Sequence, residues 1–197
     1  MIKIGIIKEN KIPTDNRTPL TPKQAKKIKN NGIDLVCQTS NIRCFSDIEY
    51  KKHNIKVVRN LDDCNIIFGI KEVPIENLIK NKTYFFFSHT IKKQPQNQKL
   101  LKEGIKKKIR LIDYECLTEN NLRIIGFGKY AGIAGSYNSL LAYGEKTKKF
   151  YLKRLSKFKD YKNLKNKIKN IKINEALKVL IIGNGRVASG ATELLDL

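Results

Sequence analysis

The sequence predicts an α/β fold built on a parallel sheet, and three observations predict it. Strand-sized apolar runs alternate with segments of helical period that carry helix start and stop signals. The longest apolar runs, such as Ile66 to Ile70 and Tyr84 to Phe87, fall far short of the ~20 residues that span a bilayer. A last apolar run, Lys178 to Ile182, enters a glycine-rich turn and a helix start.

The elements follow in order. Ile2 to Ile7 reads as the first strand. Thr21-Pro22 opens a helix, with Pro at its first position, and Gly32 closes it. Ile33 to Cys37 is a strand, and Ser46 caps a short helix over Asp47 to Lys52. Ile55 to Val58, Asn65 to Gly69 and the aromatic run Thr83 to Ser88 are further strands. Pro95 opens a helix to about Lys107, and Ile109 to Asp113 is a strand. A long helix rich in small residues spans Ala131 to Phe150. Lys148 to Lys172 reads as a solvated amphipathic connector, in which apolar residues interrupt the charge.

Composition bounds the function. The 197 residues carry 40 Lys and Arg against 18 Asp and Glu, a net charge of +22. Lysine is spread through every segment and arginine is scarce, which disfavours base readout and stacking, so no specific nucleic-acid partner is expected. No membrane partner is expected either. Cys37, Cys44, Cys64 and Cys116 lack metal-ligand spacing and read as free thiols, so no metal and a cytoplasmic location are expected.

Four strand ends carry candidate chemistry. Val179-Leu180-Ile181-Ile182-Gly183-Asn184-Gly185-Arg186-Val187-Ala188 has the form strand, Gly-x-Gly, helix. Gly183 permits the tight turn, and Gly185 lets a pyrophosphate approach the backbone at a helix N-terminus. Gly183, Gly185, Arg186 and Val187 are the candidate cofactor contacts. The acid that binds a ribose is expected about 20 residues further on, and Glu193 and Asp196 lie too close to be it. Gly69-Ile70-Lys71-Glu72-Val73-Pro74 ends a strand on a lysine that acts as a base when burial lowers its pKa. Phe85-Phe86-Phe87-Ser88-His89 delivers one of only two histidines to a strand end. Leu111-Ile112-Asp113-Tyr114-Glu115 closes on acids, where Glu115 can tune a neighbouring base. Arg17, in the polar loop after the first strand, has the planar fork that suits a carboxylate. Taken alone, Lys71 and Arg17 read better as solvated side chains, and His89 and Glu115 equally well as caps.

Together and in order, these segments resemble the alanine dehydrogenase and saccharopine dehydrogenase superfamily. The resemblance rests on Arg17-Thr18-Pro19-Leu20-Thr21-Pro22, Ile70-Lys71-Glu72-Val73-Pro74 and Phe87-Ser88-His89. Ser88-His89-Thr90-Ile91-Lys92-Lys93-Gln94 and Arg123-Ile124-Ile125-Gly126-Phe127-Gly128-Lys129-Tyr130-Ala131-Gly132 favour the NAD-dependent, lysine-forming saccharopine dehydrogenases. The resemblance implies Lys71 as proton acceptor, His89 as proton donor and Glu115 as the acid that adjusts them. It also implies Arg17, Gln94 and Arg123 as substrate contacts, Gly185 and Arg186 as NAD contacts, and Lys92 as a nearby lysine without an assigned role. Around Asn120-Asn121-Leu122 the spacing is one residue shorter than in that family.

The expected fold class is therefore a Rossmann-like parallel-sheet N-terminal domain, followed by the start of a second, dinucleotide-binding Rossmann domain that is cut short. The expected domains are a substrate domain over 1–133, a helical, Lys-rich connector over 134–176, and the first strand, turn and helix of an NAD-binding domain over 177–197. The implied partner is a small amino-acid substrate, and the unfinished motif leaves room for a second chain that completes the cofactor domain. The implied reaction is oxidative deamination of saccharopine. An alanine dehydrogenase, a non-catalytic remnant and a basic nucleic-acid binder remain as alternatives.

Overall fold

The computed structural model describes residues 2–171 and 177–197. The chain divides into two units, Met1–Ile125 and Gly126–Leu197.

The first unit holds six strands: β1 (Lys3–Ile6), β2 (Asp34–Gln38), β3 (Lys56–Val58), β4 (Ile66–Phe68), β5 (Thr83–Phe86) and β6 (Arg110–Asp113). All pair in parallel, in the order β3-β2-β1-β4-β5-β6. The order runs outward from β1 in both directions, so a crevice opens where β1 and β4 diverge at their carboxyl ends. That is where open α/β sheets place ligands.

Local chemistry accounts for the helices. α1 (Pro22–Asn30) starts on a capping box between Thr21 and Gln24, and Gly32 follows it at φ +82°. α2 (Asp47–Lys52) starts on a second box between Ser46 and Glu49. α3 (Pro95–Lys106) takes its fixed φ from Pro95 at the first turn.

Strand alternation then splits the core into two layers. Ile4, Ile6, Leu35 and Cys37 pack with Ala25 and Tyr50 on one face, and Val36, Ile67, Tyr84 and Phe86 pack with Leu61 and Leu100 on the other. β5 stops at Phe86, two residues before the apolar run ends. The Ser88 N–H leaves the ladder to donate to the Asp113 carboxylate at 3.2 Å.

A small hairpin, β7 (Thr118–Glu119) and β8 (Leu122–Arg123), follows β6 and was not among the expected elements. Its two-residue turn puts Asn120 and Asn121 at φ 49° and 59°, the left-handed region that asparagine tolerates.

The second unit differs from expectation in two ways. The stretch expected as a solvated connector builds a core instead. α4 (Gly128–Thr147), α5 (Tyr161–Lys169) and α6 (Arg186–Leu195) bury Ile133, Tyr137, Leu152, Leu164, Ile168 and Leu194 together. The apolar residues that interrupt the lysines are the inward-facing side of this unit. In addition, residues 177–185 form no strand. Val179, Leu180 and Ile182 are 57%, 84% and 89% exposed. A strand needs a neighbouring edge, and none lies among the described residues of this unit. Part of the expected connector, 172–176, lies outside the described residues.

α4 and α6 cross with their backbones almost touching. A Cβ on Gly132 would lie 1.9 Å from the Val187 carbonyl oxygen, and one on Gly190 would lie 1.9 Å from that of Lys129. Beside this crossing, Lys129 pairs with Glu193, which also accepts a 2.8 Å hydrogen bond from Tyr161. No helix among the described residues is long and apolar enough to cross a membrane.

Candidate functional site

The carboxyl ends of β1, β4, β5 and β6 gather the site of the first unit. β5 ends two residues before Ser88, whose hydroxyl donates to Asp113 at the end of β6. The other Asp113 oxygen accepts from the Glu115 N–H at 2.8 Å. Asp113 and Ser88 are both buried, so one carboxylate ties the two strand ends together and sets His89, one residue beyond Ser88, and Glu115, two beyond Asp113. His89 itself takes a left-handed conformation, φ 55°, which turns the chain into a 3-10 turn over Thr90–Lys92.

His89 Nδ1 lies 2.8 Å from Glu115 Oε2, and its Nε2 lies 3.9 Å from Glu72 Oε1. Lys92 Nζ lies 3.1 Å from Nδ1 and 3.2 Å from Glu115 Oε1. Nδ1 cannot donate to the carboxylate and accept from the ammonium at once. The stronger arrangement has Nδ1–H donating to Glu115, with Lys92 bound to the other oxygen and Nε2 left toward Glu72.

Arg123, on β8, adds a second cation to Glu115 at 3.3 Å. Burial works to raise the Glu115 pKa, but hydrogen bonds from His89 and Lys92 outweigh it and hold the carboxyl below its ordinary value. Lys11 binds Glu72 at 2.5 Å. Glu72, Pro74, His89, Gln94 and Asn97 line an open cleft of about 700 Å3.

A second cluster adjoins this one at the start of the segment after β4. The buried Glu9 carboxylate accepts the Ile70 and Lys71 N–H groups at 2.7 and 2.9 Å. Burial raises its pKa, against the pull of those two hydrogen bonds. The clamp joins the ends of β1 and β4 and orients Lys71-Glu72.

Arg17 pairs with Asp15 through Nε at 2.9 Å and through a second nitrogen. That hydrogen bond is the chief cause of a lowered Asp15 pKa and a raised Arg17 pKa. The Lys71 ammonium makes no ion pair within 4 Å among the described residues, and its field helps hold Asp15 ionised.

Of the residues singled out in sequence, His89, Lys92, Gln94, Glu115 and Arg123 converge on one strand-end cluster, and Lys71 and Arg17 sit beside it. Glu9, Glu72 and Asp113 complete the arrangement. Each ends a predicted strand or lies within three residues of its end, which is the only sequence signal they carry. Among the described residues no group of three or more His, Cys, Asp or Glu side chains suits a metal ion.

In the second unit, Gly183 has φ +109° and Gly185 is the N-cap of α6. No atom lies within 4 Å of a Cβ built on either, so the backbone before α6 is open to a bulky anion. These residues fit the pyrophosphate half of a dinucleotide site. Arg186 and Val187 form the first turn of α6.

The Glu115 environment sets a pH dependence. A carboxyl held low in the folded state contributes stability above its unfolded pKa, and loses it as pH falls through the folded value. Glu9, held high, contributes with the opposite sign in both wild type and variant. Below pH 4.5 the wild type is therefore expected to lose stability more steeply than Glu115→Gln. Urea denaturation at stepped pH values measures this, and parallel stability curves would rule it out.

Comparison with known proteins agrees with the fold. The family profile "Alanine dehydrogenase/PNT, N-terminal domain" matches residues 5–134. Mitochondrial alpha-aminoadipic semialdehyde synthase of Bos taurus is 42% identical over 131 residues, covering 66% of this chain and 14% of that protein. The NAD(+)-dependent, L-lysine-forming saccharopine dehydrogenase of Schizosaccharomyces pombe is 28% identical over 200 residues, covering 92% of this chain and 54% of that protein. This chain thus spans between a small fraction and about half of the curated relatives it matches. A solved L-alanine dehydrogenase superposes with a TM-score of 0.60 at 20% identity, over 74% of this chain and 42% of its own, a likeness of fold. By its matched segment and its sheet, this chain belongs to the alanine dehydrogenase/PNT N-terminal domain family.

Proposed function

We propose that this chain forms the substrate side of an NAD-dependent oxidoreductase that acts on the CH–NH group of saccharopine. The products are L-lysine and 2-oxoglutarate. The observation that carries this reading is the His89 imidazole held between Glu115 and Glu72, one residue from Lys71, at the crevice of the sheet.

Each residue has a chemical task in that reaction. Lys71, which makes no ion pair among the described residues, takes the proton from the secondary amine as the carbon beside it gives up hydride. Water then adds to the imine as His89 Nε2 takes the proton that the water loses, and Nε2 passes that proton to the departing amine of lysine. Glu115 fixes the tautomer that makes Nε2 the working nitrogen. Arg17, Gln94 and Arg123 hold the carboxylates and polar groups of the substrate. NAD, when bound, accepts the hydride. Gly183, Gly185, Arg186 and Val187 present open backbone at the start of α6 for its pyrophosphate. The free thiols fit a reducing compartment, and a cytosolic location is part of this reading. Some relatives are named as mitochondrial.

The test is NAD reduction with saccharopine and, separately, with alanine, by this chain together with a polypeptide that completes its cofactor side. Saccharopine turnover supports the reading, and turnover of alanine alone overturns it. The segment that leads into Gly183 forms no strand, so the 197-residue chain by itself is expected to bind NAD weakly and turn over little. A second polypeptide that pairs with this segment would raise both. Saccharopine-dependent NAD reduction by the isolated chain at an ordinary enzyme rate would refute that expectation.

A further inference from the structure

The lysine-rich stretch of the second unit changes meaning once it is folded. Between Lys148 and Lys169 there are ten cations and one acid, in a chain with 40 cations and 18 acids overall. In sequence, the apolar residues Leu152, Leu164 and Ile168 break up this charge. In the structure all three are buried against α4 and α6, so they interrupt nothing at the surface.

What remains outside is a local excess of exposed cations on α5 and the segment before it. Arg154, Lys157, Lys159, Lys162, Lys167 and Lys169 are exposed, and none of them pairs with a carboxylate among the described residues. The lone acid, Asp160, is spent on the N-terminus of α5, where it accepts the Asn163 N–H at 2.8 Å.

We infer that this cationic segment docks the phosphodiester backbone of nucleic acid without reading its sequence. Lysines on flexible stems suit phosphate as point charges and give little base discrimination. α5 is nine residues long, roughly 14 Å, which matches about four phosphates of one strand at their ~3.4 Å axial spacing. A membrane surface fits less well, because an interfacial helix needs its apolar side free to enter the lipid, and the apolar side of α5 is buried in its own unit. An acidic protein partner fits less well because lysine is depleted at the cores of such interfaces.

The test uses the 197-residue chain and a fluorescent 20-base-pair duplex at stepped salt concentrations. Binding is expected to weaken with log salt at a slope of about −3 to −4. Lys162, Lys167 and Lys169 changed together to Gln should lower affinity at 50 mM salt by about tenfold or more and flatten the slope by roughly 2 to 3. Lys23, Lys26 and Lys27 of α1, also exposed, changed together to Gln remove the same net charge elsewhere and should leave both nearly unchanged. Matching near-ultraviolet spectra verify that each variant is folded. The inference is overturned if the duplex is not bound at 50 mM salt. It is overturned equally if the α1 variant loses as much as the α5 variant, or if phosphatidylserine vesicles bind the chain more tightly than the duplex does.

Discussion

Gly132→Val is expected to unfold the helical unit while leaving the parallel-sheet unit folded. The added Cβ would lie 1.9 Å from the Val187 carbonyl oxygen, 2.8 Å from the Ala191 nitrogen and 2.9 Å from the Val187 carbonyl carbon. All three are backbone atoms of α6, so no flexible side chain can swing aside. The two helices must separate along their contact and open the layer that holds Ile133, Tyr137 and Leu194. Overpacking of this kind costs about 3 kcal/mol or more, a large share of what a unit of this size can hold in reserve. Amide hydrogen exchange should show protection lost across α4, α5 and α6 and kept in β1, β2, β4 and β5. Unchanged protection in α4 would show that the crossing yields more cheaply than its geometry implies. Gly190→Val, which meets the Lys129 carbonyl oxygen from the other side, should behave in the same way.

With the cofactor side completed by a second polypeptide, Lys71→Met and His89→Gln are each expected to lower saccharopine-dependent kcat by at least about 100-fold, the range for loss of a placed proton carrier. The two should differ in the step that fails: without Lys71, proton removal from the amine and the hydride loss it accompanies; without His89, hydrolysis of the imine. KM should move little for His89→Gln, because Gln94 and Arg17 remain to hold the substrate. A variant at either position with wild-type kcat would remove that residue from the proposed chemistry. Asp113→Ala should lower kcat less, and only by loosening the tie that sets both His89 and Glu115.

The parts of this fold that were legible in the sequence are those fixed by neighbours in the chain. The start signals at Thr21-Pro22 and Ser46 act within one turn, and the structure starts α1 and α2 where they predict. Strand ends were legible too, which is why Lys71, His89 and Glu115 could be singled out. The clamps between strands were not. Glu9 reaches Ile70 across 61 positions and Asp113 reaches Ser88 across 25, and only the register of the sheet brings them together. The lysine-rich stretch was misread for a related reason. Leu152, Leu164 and Ile168 had helical spacing, but a core needs a second surface, and that surface is supplied by α4 and α6. The strand over 178–182 erred in the opposite direction: the residues have strand composition, but strand structure depends on an edge to pair with.

The exposure of Val179, Leu180 and Ile182 has a colloidal consequence. A run of four apolar residues that pairs with no strand among the described residues is a template for edge-to-edge association between copies. Lys178 stands at one end as a gatekeeper, and the net charge of +22 keeps copies apart by mutual repulsion. Solubility of this chain therefore rests on its lysines. The excess of charge that serves no buried partner in the fold works as a barrier against self-assembly, and it is strongest where counterions are few.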